Sequence, residues 1–73
     1  MPLSDRAQDL ALAIWQEQLD NGIGQPDEMA TVEHLDEWVA NRNYPASTLE
    51  QAAAGDIEAL TQVRTEAGLP PFS

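Results

Sequence analysis

The stretch Ser4–Gly22, SDRAQDLALAIWQEQLDNG, decides the fold class. At 3.6 residues per turn, Leu3, Ala7, Leu10, Ala11 and Ile14 share one face, widened sideways by Trp15 and Leu19. Asp5, Asp9, Gln16 and Asp20 fall on the opposite side. Ser4 suits the N-cap, and Asp5 meets the positive end of the helix dipole. Asn21-Gly22 supplies the stop, with Gly22 suited to the left-handed C′ position. The spacing predicts a helix over 4–20.

Reading onward, Gly22-Ile23-Gly24-Gln25 is a connector. Pro26 near N1, followed by Asp27 and Glu28, predicts a second helix over 26–42; a later start capped by Thr31 is the alternative. Met29, Val32, Leu35, Trp38 and Val39 form its apolar stripe, with Glu33, Asp36 and Glu37 on an adjoining face. It ends at Asn41-Arg42-Asn43-Tyr44, because the residue before Pro45 is pushed toward extended geometry. Ser47-Thr48-Leu49-Glu50 reads as a capping box that opens a short helix over 48–54, broken by Gly55. Asp56 then caps a last helix over 57–67, with Ile57, Leu60 and Val63 on one face and Gly68 as the stop. Leu69-Pro70-Pro71-Phe72-Ser73 reads as an extended tail over 69–73. No stretch alternates with period two over a strand's length. The expected architecture is all-α: one domain over 1–73, a small bundle of three to four short helices whose last two form a helix-turn-helix pair.

Composition narrows the function. Thirteen acidic side chains stand against three arginines and no lysine, a formal net charge of -10 on 73 residues. Such a field repels nucleic acid and acidic membranes, so neither is expected as a direct partner. A GC-rich genome or halophilic adaptation would produce the same bias, and both readings stay open beside a functional one. Without Cys there is no disulfide, thiolate metal site or cysteine nucleophile. That composition, with no basic-then-apolar leader at the N-terminus, leads to the expectation of a cytoplasmic protein. Much of the apolar share is Ala, so the core should be thin and either marginally stable or completed by self-association.

Leu49–Gly68, LEQAAAGDIEALTQVRTEAG, has the outline of a DNA-reading helix-turn-helix. Its second helix carries Asp56, Glu58 and Glu66 against Arg64 alone, which forbids docking on phosphates. The same run is similar to the helix pair of an ankyrin repeat. It occurs once, without the T-P-L-H opening, where stacked repeats need several copies. His34 with Glu33, Asp36 or Glu37 falls short of a zinc site, which needs three or four converging ligands. Gly22 and Gly24 occupy the places where an EF-hand loop needs oxygen ligands. Gly22-Ile23-Gly24 is half of a dinucleotide fingerprint and follows no strand. No catalytic, cofactor-binding or metal-binding residue is assigned, and no cofactor is expected.

The sequence therefore points to a non-enzymatic acidic helical protein acting by protein–protein binding: an adaptor, inhibitor or regulatory accessory factor, virus- or prophage-encoded among other origins. Its candidate partner-binding residues are Trp15, Leu19, Trp38, Glu33, Asp36 and Glu37; both tryptophans are expected to belong mainly to the core, and Trp15, off-centre on its helix, is the better candidate of the two for partial exposure. The partner should be another protein with a basic surface, and a homo-oligomer is possible on the same helices. Two alternatives stand beside this. One is a DNA mimic whose carboxylate rows block a nucleic-acid-binding protein; the other is a small helical subunit of a larger assembly.

Overall fold

The structure, a computed structural model, describes residues 3–24, 27–42 and 44–70, with Arg42 described in its backbone alone. Four helices follow one another among the described residues: α1 (Asp5–Asp20), α2 (Val32–Arg42), α3 (Ala46–Ala53) and α4 (Ile57–Glu66). The all-α class and the small bundle expected from the sequence are what the chain adopts. α1 lies at the centre, packing on α2 along one flank and on α3 along another, with α4 against α3. Ala7, Ala11 and Ile14 of α1 are buried with Leu35, Leu49, Val63, Ala67 and Leu69 in one cluster. The small Ala7 and Ala11 let neighbouring helices approach the α1 backbone closely, so little apolar area per residue still gives a closed core.

Helix ends act as the joints of this bundle. Ser4 caps α1 as expected, its hydroxyl accepting from the Ala7 amide at 3.3 Å. The Ser47–Glu50 capping box, however, does not form. α3 starts two residues earlier, behind Pro45, with no side-chain cap, and the Thr48 and Leu49 amides donate to the Pro45 carbonyl. Glu50 instead crosses to α1, accepting from the Ser4 amide at 2.8 Å and from the Ser4 hydroxyl at 2.5 Å. A capping box pairs an N-cap Ser with a carboxylate at N3. Here the N3 residue of α1 is Ala7, and Glu50 of another helix fills the same role in space.

The C-termini follow one rule. After α1 the Ile23 amide donates to the Gln18 carbonyl at 2.8 Å, and after α4 the Leu69 amide donates to Arg64 at 2.9 Å. After α3 the Asp56 amide donates to Gln51 at 3.0 Å, and after α2 the Tyr44 amide donates to Val39 at 3.1 Å. Each is the six-to-one bond of a Schellman motif, which satisfies a carbonyl the helix leaves orphaned. Gly22, at φ 77°, holds the left-handed turn of the first. Tyr44 and Leu69, each just past a stop, turn back into the core.

α4 is fixed to α1 by polar contacts. The buried Gln18 side chain donates to the Ala67 carbonyl at 2.8 Å. Arg64, also buried, donates two bonds to Glu17, at 3.0 Å and 2.6 Å, and its Nε donates to the Pro70 carbonyl at 2.8 Å. Leu69 is thereby buried and the exposed Pro70 is tied back through its carbonyl, which departs from the expected extended tail, and Pro71, Phe72 and Ser73 lie outside the described residues. The expected α2 start at Pro26 also lies outside them. From Asp27 to Thr31 the chain is not helical, so the later start behind Thr31 is the correct one. Ile57, expected on the apolar face of α4, is its exposed first residue, and Ala59 and Val63 make the buried stripe.

The bonds from Ser4 hold the Glu50 carboxyl below the usual carboxylate range, and the Arg64 guanidinium does the same for Glu17. A carboxyl with a depressed native pKa contributes stability that is complete above its unfolded value, about 4.3, and lost as pH falls through the native value. Glu50→Gln, which keeps the size and removes the charge, is expected to lower Tm at neutral pH and to flatten the acid limb of stability. Thermal melts by circular dichroism from neutral pH to about pH 3 check this; an unaltered acid limb would contradict the cross-helix cap.

Candidate protein-binding groove

The flank between α1 and α2 carries the one constellation the sequence singled out. Trp15 and Trp38 lie stacked, ring centroids 5.5 Å apart and planes 11° from parallel, with Tyr44 tilted onto Trp38 at 5.0 Å. Offset stacking of this kind adds roughly 0.5–1.5 kcal/mol to the burial of the rings. Both tryptophans are only 4% exposed, as expected of core residues, and Trp15 is no more exposed than Trp38. The off-centre position read from the helical wheel is real, but α2 covers that flank. Leu19 is half-buried beside the same core, and Glu33, Asp36 and Glu37 are exposed on α2.

Over this aromatic pair opens a groove of about 470 Å³. Trp15 and Trp38 line it, with Asp27, Glu28 and Met29 from the connector and Thr31, His34, Glu37 and Asn41 along α2. Of the six sequence-assigned residues, the groove brings together Trp15, Trp38 and Glu37. Glu33 and Asp36 sit on the same helix outside its lining, and Leu19 contributes from the core side. Asp27, Glu28 and Met29 were read as helical and missed as site residues. The signal was present in Gly22-Ile23-Gly24, whose two glycines permit a chain reversal, yet no periodicity announces where a connector returns.

Gly24 makes that return possible. Its φ is 106°, and a Cβ there would stand 3.2 Å from the Leu19 Cδ2 and 3.4 Å from the Glu28 Oε1. The chain then carries Glu28 back to accept a hydrogen bond from the Trp15 indole N–H. On the far side the Trp38 indole N–H is buried without a partner, an expensive state for a donor. His34 shares a hydrogen bond with the Thr31 hydroxyl at 2.8 Å through its Nδ1, a local contact at the N-terminus of α2. Met29 in the groove lining and Val32 at the start of α2 are 71% and 58% exposed, outside the buried stripe of α2, which is Leu35, Trp38 and partly Val39.

Among the described residues no three His, Asp or Glu side chains converge as metal ligands, and no helix is long and apolar enough to cross a membrane. The two carboxyls held below the usual range, Glu17 and Glu50, belong to helix joints and not to the groove. Comparison with known proteins matches no family model, no curated protein and no solved structure.

Trp15→Ala and Trp38→Ala are each expected to destabilise the protein by about 3–5 kcal/mol, the usual range for emptying a buried aromatic site. Denaturant unfolding would measure it, and the conservative Trp38→Phe should abolish the exciton couplet of the stacked indoles in circular dichroism while keeping the helices. A Trp15→Ala protein as stable as the parent would contradict the stack. Gly24→Ala is expected to cost about 1–3 kcal/mol through backbone strain and to shift the Trp15 indole proton by NMR; an unperturbed indole would show that the Glu28 contact does not need this turn.

Proposed function

We propose that the protein is a non-enzymatic binding protein whose target is another protein with a basic surface. The observation that carries this reading is the groove between α1 and α2, with carboxylates and the largely exposed Met29 in its lining and Val32 exposed at the start of α2. A monomeric surface seldom leaves large apolar side chains next to an open concavity without a use for them. An apolar centre gives affinity on desolvation, while flanking charge raises the association rate with an oppositely charged partner. Met is a suitable contact residue, because its unbranched chain adapts to the surface it meets.

Two of the sequence-level mechanisms change in this reading. The tryptophans support the site from below instead of supplying its contact area, and Met29 with Val32 takes that role. Self-association loses its motive, because the core closes without a second copy and two bodies of charge -10 repel. The DNA-mimic alternative finds less support. The acidic row on α1 is interrupted at Ala13 and Gln16, and Gln16 itself donates to Asp20 at 3.1 Å.

The reading is tested by affinity capture from native lysate with the parent protein and with the double variant Met29→Asp/Val32→Asp as bait. The expected result is a Lys/Arg-rich protein retained by the parent and lost from the variant, while both keep the same helical circular dichroism. Both substituted positions are exposed, so folding should survive. Capture indifferent to these positions but abolished by neutralising Asp5, Asp9 and Asp20 would replace this reading with mimicry.

A further inference from the structure

Beyond a basic partner in general, and resting on the reading above, we propose that the groove receives a single arginine or lysine side chain from an extended segment of that partner. The groove has two chemical zones. Its lining is apolar at the buried Trp15 and Trp38 and the exposed Met29, and acidic at Asp27 and Glu37, both exposed. Neither of these carboxylates forms an ion pair among the described residues. A long cationic side chain has the same two zones: a methylene stem that packs on apolar surface and a charged head that seeks carboxylates. A guanidinium adds planar, forked donors that match a carboxylate edge on.

Other occupants fit less well. A second copy of this chain, a nucleic acid or an acidic lipid headgroup would bring negative charge onto a negative margin. A purely apolar ligand would desolvate Asp27 and Glu37 without compensation. A free polyamine satisfies the carboxylates but carries further charge along its stem, where the lining offers Trp15, Trp38 and Met29. The side chain of a peptide, charged only at its head, matches both zones.

The probe is the peptide acetyl-Ala-Ala-Arg-Ala-Ala-amide, with lysine, citrulline and norleucine at the central position as comparisons, and spermidine as the polyamine. Binding is followed by ¹⁵N NMR of the full chain, reading the Trp15 and Trp38 indole signals and the Asp27 and Glu37 amides. The arginine and lysine peptides are expected to shift these signals saturably, and citrulline, uncharged and nearly the same shape, to bind at least about tenfold more weakly. Asp27→Asn/Glu37→Gln should weaken the arginine peptide by a similar factor. Glu33→Gln/Asp36→Asn, which removes the same charge outside the groove lining, should leave it within about twofold. Equal loss with the two double variants, equal affinity for citrulline, or spermidine binding as tightly as the arginine peptide would each overturn the proposal. Failure is distinguishable from failure of the broader reading: a captured partner lost with Met29→Asp/Val32→Asp but retained by Asp27→Asn/Glu37→Gln would leave protein binding standing and remove the cationic side chain.

Discussion

The stacked pair Trp15–Trp38 is the contact on which the outer half of this molecule depends. α2 rests mainly on α1, and its buried stripe is short: Leu35, Trp38 and part of Val39, with Tyr44 just beyond its end. A helix of 11 residues does not hold its shape in water by propensity alone, so α2 exists because this stripe is buried. The two indoles are the largest side chains in that contact, and Tyr44 lies tilted against Trp38. The same rings form the base of the groove. Fold and candidate site therefore share one interaction, and a change that loosens the stack removes the concavity together with the helix that lines it.

Elsewhere polar groups do the joining. A chain this short, with so much of its apolar content in alanine, cannot rely on area alone, and its helices leave unpaired amides and carbonyls at every end. Two of those ends are met by side chains of another helix, Glu50 on the start of α1 and Gln18 on the Ala67 carbonyl, and Arg64 of α4 ties the Pro70 carbonyl while it holds Glu17. Each contact satisfies a group that must be satisfied somewhere and also sets the position of one helix against another. Such bonds add modest net stability but penalise any arrangement that breaks them. They fix which of several similar packings the small core takes.

How much of this was readable in advance follows from the range of each interaction. Local effects were legible. The Ser4 and Asp56 caps, the stops at Gly22, Gly55 and Gly68, and the lengths of α1 and α4 all arise within a few residues of one another. What failed was tertiary in origin. Glu50 has the spacing of a local capping box with Ser47, yet Ser4, 46 residues away, offers both an amide and a hydroxyl. Trp15 looks marginal on a wheel that assumes one buried face, and α1 in fact buries two flanks. Arg64 read as a lone cation on an acidic helix, although its burial against Glu17 makes it a part of the core. Met29 and Val32 completed a convincing stripe on paper; the helix begins only at Val32, and neither side chain reaches the core. The groove was invisible for the same reason, since it exists only where the connector returns across α1.

The charge distribution ties these observations to function. Carboxylates left unpaired on a small body repel one another, and that repulsion opposes compaction. Here the compaction is achieved regardless, through a buried core and the helix joints, while Asp27 and Glu37 remain exposed in the lining of the groove and Glu33 and Asp36 exposed on the same helix as Glu37. Neutralising any of them within the chain would have been straightforward for a sequence able to place Arg64 so well against Glu17. Leaving them open keeps an unfavourable electrostatic term in the free protein, which the cationic partner proposed above would relieve on arrival. Under that proposal, the free energy that strains the isolated molecule would be the same free energy that favours its complex.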